Sequence, residues 1–281
     1  MKNKLKIFVD GDAGTTGLEI VGRLESRPDI QLLKINPQLR KSKQARTEAI
    51  NEADIVVLCL PDEAAIEAVA LAENSDTKII DASTAHRLSE GWTYGFPEYQ
   101  PGHRQALLNS ARISNPGCYA IAAIAILFPL VKLGIVAKDW PVSITGLSGY
   151  SGGGKLLIKK FEKQSDNITH YDYGLDLQHK HLPEITKWSH LDHPPSFLPC
   201  VGNFFRGMLV RLHLPLWALS SKPNSRDIHD AYKRHYDSEH FIKIADYNFG
   251  DLNNEIDPQA LNGSNFLQLH VLHDETTDNS I

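Results

Sequence analysis

Residues Lys6–Arg27, KIFVDGDAGTTGLEIVGRLESR, carry the strongest structural signal in the chain. They begin with a short apolar strand, pass through a loop in which Gly11, Gly14 and Gly17 are spaced G-x-x-G-x-x-G, and continue with apolar residues at the spacing of a helix face. Glycines let a backbone turn tightly and approach a pyrophosphate, and the following helix offers unpaired N–H groups at its start. This order predicts the first unit of a dinucleotide-binding domain. A tight turn without a ligand is the alternative.

Strands and helices keep alternating up to about residue 115. The apolar run ADIVVLCLP stops at Pro61 and is followed by DEAAIEAVALAEN, which has the pattern of a helix. IQLLKI and TKIIDAS are further strand-like runs. Such alternation predicts an α/β domain over residues 1–115, with a doubly wound parallel sheet and helices on both of its faces.

The pattern changes in the second half of the chain. WPVSITGLS is strand-like, and FRGMLVRLHLPL and FLQLHVLH alternate apolar and polar residues, as half-exposed antiparallel strands do. We therefore predict a second, α+β domain over residues 116–281, with a mixed, largely antiparallel sheet. We expect that sheet to be the natural interface between subunits.

A basic segment follows the second predicted strand, where NAD-binding domains commonly place an acid for the ribose 2′-hydroxyl. Here Arg40 and Lys41 follow the strand, with Lys43 and Arg46 behind them. Such a cluster suits a 2′-phosphate, so we expect NADP(H) as the cofactor. A solvated basic loop is the alternative.

Composition and charge exclude several classes of protein. A formal net charge of -5 over 281 residues argues against general nucleic-acid binding, which usually shows a basic excess. The first residues do not read as a signal peptide, and the apolar run Tyr119–Val131 is interrupted by Pro129 and shorter than a bilayer span. Three cysteines, an odd number, do not suggest a disulfide framework. We expect a cytoplasmic protein that binds neither nucleic acid nor membrane.

Cys118 is the candidate nucleophile. In SNPGCY it follows Pro116 and Gly117, which force a turn, and it stands where a helix would begin. The dipole and the N–H groups of a helix N-terminus favour thiolate, the nucleophilic form. Cys59 lies in a predicted buried strand, and Cys200 carries no comparable signal. A thiol beside a dinucleotide domain suggests thiolate attack on an activated acyl group, followed by reduction of the thioester.

Two imidazoles in HKHLPEI, His179 and His181, are candidate proton donors and acceptors. Along an extended segment, a spacing of two residues puts both rings on the same face. The chain has 13 histidines, so an ordinary surface position is the alternative for each of these two. No metal is predicted, because a third and a fourth ligand are missing at a suitable spacing.

The segment GYSGGGKL, Gly149–Leu156, matches a phosphate-binding P-loop except at its last residue, where Ser or Thr should bind magnesium. A nucleotide triphosphatase or kinase is therefore an alternative class. The loop could still bind phosphate through its backbone N–H groups, Ser151 and Lys155, which fits an acyl-phosphate substrate.

Seven short segments occur together in this chain: DGDAGTTGLEI, DASTAHR, YGFPE, SNPGCY, SGYSGGGK, HKHLPE and NFFRGM. In this order, from residue 7 to about residue 208, they resemble the N-acetyl-gamma-glutamyl-phosphate reductases of the shorter type. The resemblance implies NADPH-dependent reduction of N-acetylglutamyl 5-phosphate to the semialdehyde, with release of phosphate, in arginine biosynthesis. It also implies a homo-oligomer, either dimer or tetramer. An acyl-phosphate reductase like the aspartate-semialdehyde dehydrogenases, which share the two-domain plan and the thioester chemistry, is the alternative.

The resemblance also implies roles for single residues. It makes Cys118 the nucleophile and places the acid/base histidine in the His179 and His181 pair, with His181 preferred because it adjoins LPE. The cofactor residues that match are Gly11, Gly14, Thr15, Thr16 and Gly17, beside Arg40 and Lys41. The candidates for binding substrate are Ser83, Asn115, Ser151 and Lys155.

This chain departs from the family pattern in two places. Ile121 and Ala122 stand where the family has Thr and Gly, which predicts weaker placement of cofactor or substrate. Family members also continue beyond the position of Ile281 with a segment that returns to the cofactor domain. A chain without that segment is expected to bind NADP weakly or to turn over slowly.

Overall fold

The computed structural model describes residues 4–163, 168–247, 255–274 and 279–280. The chain divides into two compact units. Unit 1 consists of Met1–Pro97 and Gly102–Gly117, and unit 2 consists of Glu98–Pro101 and Cys118–Ile281. The short segment Glu98–Pro101 therefore belongs to the unit that follows it in sequence.

Unit 1 contains a six-stranded sheet within the described residues, and every strand pairs parallel to its neighbour. The strand order is β2-β1-β3-β4-β6-β5, which reverses direction at the first strand as a doubly wound sheet does. The strands are β1 Leu5–Asp10, β2 Ile30–Leu33, β3 Ile55–Leu58, β4 Lys78–Asp81, β5 Thr93–Tyr94 and β6 Arg112–Ser114. The helices are α1 Thr15–Glu25, α2 Lys43–Glu52, α3 Asp62–Ala70 and α4 His103–Asn109.

The two faces of this sheet are covered by different helices. Phe8 of β1 packs in one core with Ile50 of α2 and Ala65 of α3. Ile7, its neighbour in β1, packs on the opposite face with Ile20 of α1. Successive strand residues point to opposite faces, so both faces need apolar partners, and the near-continuous apolar strands of unit 1 meet that need. The predicted α/β fold is confirmed.

Unit 2 is built around helix α5, Cys118–Lys132, and a mixed four-stranded sheet of order β10-β7-β9-β8 among the described residues. β7 and β9 pair parallel, whereas the two outer pairs are antiparallel. The strands are β7 Ser143–Gly149, β8 His170–Asp172, β9 Ser196–Gly202 and β10 Met208–Leu212. The remaining elements are α6 Gly154–Glu162, α7 Leu182–Trp188, α8 Ser225–Tyr236, and the short strands β11 Leu214–Pro215, β12 Ile242–Ile244, β13 Leu267–Leu269, β14 His273–Asp274 and β15 Asn279–Ser280.

One face of the mixed sheet is buried and the other is open. Ile144 and Phe197, paired across β7 and β9, point to the buried face. Their neighbours Thr145, Leu147 and Leu198 point the other way and are partly exposed. A concavity of about 560 Å³ lies on this open face, which we call the open sheet face.

One expectation about local structure was wrong, and one segment contains a helix that the sequence did not indicate. FLQLHVLH contains the short strand β13, which pairs parallel with β12 rather than antiparallel, since alternation indicates a strand but not its direction. Its last residue, His273, begins β14, which pairs antiparallel with β15. The basic segment after β2 is not all loop, because helix α2 begins at Lys43. That helix is largely polar, so its periodicity is weak, although the Ser42 side chain caps it by accepting a hydrogen bond from the N–H of Ala45. Among the described residues, no helix combines the length and apolarity needed to cross a membrane.

Candidate active site

The glycine loop of unit 1 is shaped by close backbone contacts. Gly11 has a φ of 90°, and a Cβ there would lie 2.3 Å from the carbonyl oxygen of Cys59. A Cβ on Gly17 would lie 2.2 Å from the carbonyl oxygen of Gly11. The N–H of Gly14 donates to that same Gly11 carbonyl at 3.0 Å, and Gly14 caps helix α1. Only glycine fits at positions 11 and 17, and the loop leads directly into the start of a helix.

This loop fits a dinucleotide. Helix α1 begins at Thr15 with no acidic residue in its first turn, so its N-terminal N–H groups and its dipole favour a bound anion. Thr16 is exposed beside it. The donor set, together with the space that a Cβ would otherwise fill, suits a pyrophosphate bridge.

The basic cluster after β2 divides into two parts. Arg40 is exposed and donates to the Asp12 carboxylate at 3.2 Å, and Lys41 is exposed next to it. Arg46, in contrast, is buried in α2 and donates through Nε to Asp10 at 3.0 Å. Burial raises the pKa of Asp10, with Arg46 acting in the opposite sense. Arg46 is therefore bonded to the end of β1, whereas Arg40, Lys41 and Lys43 are exposed at the surface.

The segment after β4 places two predicted substrate residues. Ser83 is buried, and its N–H and hydroxyl donate to the two carboxylate oxygens of Asp81 at 2.9 and 2.7 Å. The Ser83 hydroxyl oxygen also accepts from the N–H of Ala85 at 3.2 Å. Asn115 is exposed, with its side-chain amide donating to the Pro116 carbonyl at 3.1 Å. Ser83 is thus engaged within its own loop, whereas Asn115 lies at the surface.

In unit 2, Cys118 is the first residue of α5 and is exposed, although Tyr119 after it is buried. The other two thiols are in different environments. Burial, assisted by Asp10 and Asp81, raises the pKa of the Cys59 thiol to about 11. Burial and the Asp172 carboxylate raise the pKa of Cys200. Cys118 is the cysteine that combines exposure with a helix N-terminus.

Tyr119 brings the histidine pair to the start of α5. Its ring makes edge contacts with His179 and His181, at centroid distances of 5.9 and 6.2 Å. The two imidazoles contact each other at 4.7 Å. The two rings lie close together, as the sequence predicted, but the sequence did not indicate that Tyr119 contacts both of them.

The sequence predicted an extended segment at the histidine pair, but the structure has a tight turn there. The N–H of Leu182 donates to the carbonyl of His179 at 2.9 Å, and the N–H of His181 donates to Nδ1 of His179 at 3.2 Å. This tight turn forms because helix α7 begins at Leu182 with His181 as its cap. His181 is 3 % exposed, while His179 is half-buried. Burial, and next Lys180, lower the pKa of His179.

A second tyrosine joins this cluster. The side chains of Tyr119 and Tyr173 share a hydrogen bond, and the Tyr119 hydroxyl also donates to the Cys200 carbonyl at 3.1 Å. Burial raises the pKa of both phenols. Gly146 of β7 makes room for this arrangement, since a Cβ there would lie 2.7 Å from the Tyr119 ring. Neither tyrosine was predicted; the signals were their places beside Cys118 and just before the histidine pair.

The P-loop-like segment is not a backbone cradle for phosphate at its start. The N–H groups of Tyr150 and Ser151 donate to the carbonyls of Phe204 and Phe205 at 2.9 and 3.0 Å. A loop whose amides are bonded to its own fold cannot offer them to a ligand. Lys155 is exposed at the start of α6, and the Ser151 side chain is half-buried.

A doubly wound unit followed by a unit that presents a thiol at a helix start defines the class of the semialdehyde dehydrogenases. The model described as "Semialdehyde dehydrogenase, NAD binding domain" matches residues 35–107, and the one described as "Semialdehyde dehydrogenase, dimerisation domain" matches residues 118–281. The chain belongs to the N-acetyl-gamma-glutamyl-phosphate reductase family.

Relatives with that name support this membership. The protein from Trichormus variabilis is 44 % identical, over 99 % of this chain and 90 % of its own length. The protein from Chelativorans is 44 % identical over 95 % of this chain and 87 % of its own.

Solved structures of the same class show the fold. Aspartate semialdehyde dehydrogenase II from Vibrio cholerae has a TM-score of 0.66 and 16 % identity, covering 99 % of this chain and 90 % of that one. The enzyme from Francisella tularensis has a TM-score of 0.67 and 15 % identity, covering 98 % and 93 %. At these identities the likeness concerns architecture alone.

Proposed function

We propose that this chain catalyses the NADPH-dependent reduction of N-acetyl-L-glutamyl 5-phosphate to N-acetyl-L-glutamate 5-semialdehyde and phosphate, a step of arginine biosynthesis. Relatives at 40 to 44 % identity that carry the reductase name support this activity. The single observation that carries the chemistry is the exposed Cys118 thiol at the start of α5, next to a tyrosine that contacts both histidines.

Cys118 acts as the nucleophile. Its thiolate attacks the acyl carbon, a C–S bond forms, and the C–O bond to phosphate breaks as the phosphate leaves and takes up a proton. The glycine loop, with Arg40 and Lys41, would hold NADPH, which would supply the hydride that brings the thioester to the aldehyde level. The C–S bond then breaks, so the semialdehyde leaves and the Cys118 thiolate is restored.

The histidine pair handles the proton. His181 is the proposed acid/base, and His179 supports it. Because Nδ1 of His179 accepts from the His181 N–H, the neutral His179 ring carries its proton on Nε2 and can donate from there. The lowered pKa of His179 keeps that ring neutral at physiological pH. Asn115, Ser151 and Lys155 are the proposed substrate contacts, and Ser83 supports the loop beside Asn115.

A second copy of this chain is the proposed partner, and the open sheet face is the proposed interface. The dimerisation-domain match covers the unit that contains this sheet. Leu147 and Leu198 on this face are apolar residues that are partly exposed. We propose a cytoplasmic location, because a labile acyl phosphate has to be consumed where it is made.

The test is the reverse reaction: phosphate-dependent reduction of NADP with N-acetylglutamate semialdehyde. We expect Cys118→Ser to reduce turnover by about a thousandfold or more while NADP binding, followed by fluorescence, is unchanged. Cys200→Ser, the control, should keep turnover. Retained turnover in Cys118→Ser would remove the nucleophile assignment. Faster turnover with aspartate semialdehyde than with the acetylated substrate would contradict the proposed substrate.

A further inference from the structure

The carboxylate of Asp81, at the end of β4, is fully buried and collects three hydrogen bonds. Two come from the N–H and the hydroxyl of Ser83. The third joins its Oδ2 to Nδ1 of His86 at 2.6 Å. An ionised carboxylate only accepts hydrogen bonds, so Nδ1 of His86 carries the proton. A buried carboxylate depends on all of its donors, because losing one leaves part of its charge uncompensated.

His86 is held in one orientation. Its ring stacks on Trp92 with centroids 4.1 Å apart and planes 14° from parallel. Trp92 in turn packs against the core of unit 1. The imidazole is therefore fixed between a tryptophan and a buried carboxylate, and it has no role in the proposed chemistry.

The same segment, Asp81–Arg87, hydrogen-bonds both the N–H and the carbonyl of Asn115. The Asn115 N–H donates to the Asp81 carbonyl at 2.7 Å. The Asn115 carbonyl accepts from Nε of Arg87 at 3.0 Å, and Arg87 also donates to the Ala82 carbonyl at 3.3 Å. Arg87, which follows His86 in sequence, thus provides the second of these hydrogen bonds.

Only two residues separate Asn115 from the residue that carries the thiol. Pro116 and Gly117 follow, both buried, and Cys118 is next. Proline fixes its own φ, which removes one of the adjustable bonds between Asn115 and Cys118. Gly95 packs closely on Ser114, the residue before Asn115. A Cβ on Gly95 would lie 2.9 Å from the Ser114 carbonyl oxygen.

We propose that His86 is a positioning residue for the Cys118 nucleophile. By donating to Asp81, His86 keeps the Asp81–Arg87 segment in the conformation that hydrogen-bonds the Asn115 backbone. The turn from Asn115 to Gly117 then positions the Cys118 thiol. His86 itself touches neither substrate nor cofactor in this role. The inference rests on the proposed function for the assignment of Cys118, and it refines that assignment.

Two conservative variants separate the two ring nitrogens. The amide nitrogen of Asn in His86→Asn takes the place of Nδ1 and keeps a donor for Asp81, whereas that of Gln in His86→Gln takes the place of Nε2. We expect His86→Asn to remain within about threefold of the unsubstituted chain. We expect His86→Gln to lower kcat about tenfold or more with little change in KM, because a small misplacement of the nucleophile costs rate rather than binding.

A second readout needs no substrate. The rate of Cys118 alkylation by iodoacetamide, measured by mass spectrometry at several pH values, should fall at least about fivefold in His86→Gln and stay near normal in His86→Asn. Thr77→Val is the control, since it removes a buried hydroxyl that donates to the Ala53 carbonyl elsewhere in unit 1. It should lower thermal stability without changing alkylation.

The proposal is overturned if His86→Gln matches the unsubstituted chain, if His86→Asn is impaired as much as His86→Gln, or if Gln restores activity better than Asn does. The last result would show that Nε2 acts directly. If Cys118→Ser retained turnover, the proposed nucleophile would fail, and the alkylation rates would still decide whether His86 positions this thiol.

Discussion

At the scale of single residues, burial and neighbouring carboxylates separate three thiols of the same chemical type. Cys59 and Cys200 both have a raised pKa, and in each case burial is the leading cause. Cys118 is exposed and begins a helix. Reactivity depends on the thiolate fraction and on access, so we expect Cys118 to be the most reactive of the three thiols.

Alkylation at about pH 8 should therefore follow that order. With a pKa of about 11, only about one Cys59 thiol in a thousand is ionised at that pH. We expect a time course with iodoacetamide, mapped by peptide mass spectrometry, to label Cys118 well before Cys59 and Cys200. The urea-unfolded chain is the control, in which all three should react at similar rates. Labelling of Cys200 before Cys118 would contradict the assignment.

Residues also show where sequence reasoning stops. Cys118 could be found because its neighbours Pro116 and Gly117 are local signals of a turn. The contacts of Tyr119 with the histidine pair could not, because they join segments about sixty residues apart. Arg46 was grouped with Arg40 by charge alone, and only the fold shows that one is buried on Asp10 and the other is exposed.

At the scale of elements, the glycine loop and helix α1 offer a matched pair of substitutions. Gly11→Ala would place a Cβ against the Cys59 carbonyl at a backbone φ of 90°. We expect the free energy of unfolding to fall by about 2–4 kcal/mol and NADP binding to weaken. Urea denaturation and a fluorescence titration with NADP measure the two effects.

Gly22→Ala is the control for that substitution. Gly22 lies within α1, and a Cβ there meets nothing within 4 Å. We expect this variant to be more stable by about 0.5–1 kcal/mol, because glycine is a poor helix former, and to bind NADP as before. A Gly11→Ala variant as stable as Gly22→Ala would contradict the described loop.

Elements were predictable where their signal is local. The strands of unit 1 are apolar runs between turn residues, and α1 follows a glycine loop, so both could be read from the sequence. Helix α2 was missed because its apolar face is narrow, with Ile50 as its buried apolar residue. The turn at the histidine pair was read as extended because spacing cannot tell a two-residue repeat from a helix cap.

At the scale of the whole molecule, three half-buried histidines of unit 2 make stability depend on pH. Burial lowers the pKa of His179, His235 and His270 from the ordinary value of 6.5. Below pH 6.5 the unfolded chain therefore binds protons more readily than the folded chain does. The contribution of these histidines to the free energy of unfolding is full above pH 6.5 and is lost as pH falls below it. We expect the urea midpoint to drop between about pH 7.5 and about pH 5.5.

His235→Gln tests this cause. His235 bonds the Tyr99 carbonyl through Nε2 at 3.0 Å, and the amide of Gln can supply that donor without titrating. The pH dependence of the urea midpoint should become shallower in this variant. His193→Gln, at an exposed position, is the control and should leave the slope unchanged. An equal slope in both variants would remove His235 from the explanation.

Association through the open sheet face makes a prediction about molecular mass. Leu198 lies on that face and is 39 % exposed, whereas Leu156 lies on α6 and is 84 % exposed. If the proposed dimer forms through this face, we expect Leu198→Lys to convert it to monomer at micromolar concentration, because an unpaired positive charge would be buried on the same sheet face as Arg211, two strands away. Leu156→Lys should not change the mass. Light scattering across a dilution series measures both, and an unchanged mass for Leu198→Lys would rule out this interface.

The Tyr119 ring packs directly on Gly146, which has no side chain, and this contact has an evolutionary consequence. Any side chain at position 146 would displace the ring and, with it, the start of α5 beside the thiol. A substitution at 146 is tolerable only after the aromatic ring at 119 has been replaced by a smaller side chain. The two positions should therefore covary among homologues, and a lineage that changes one alone should show relaxed selection at the thiol as well.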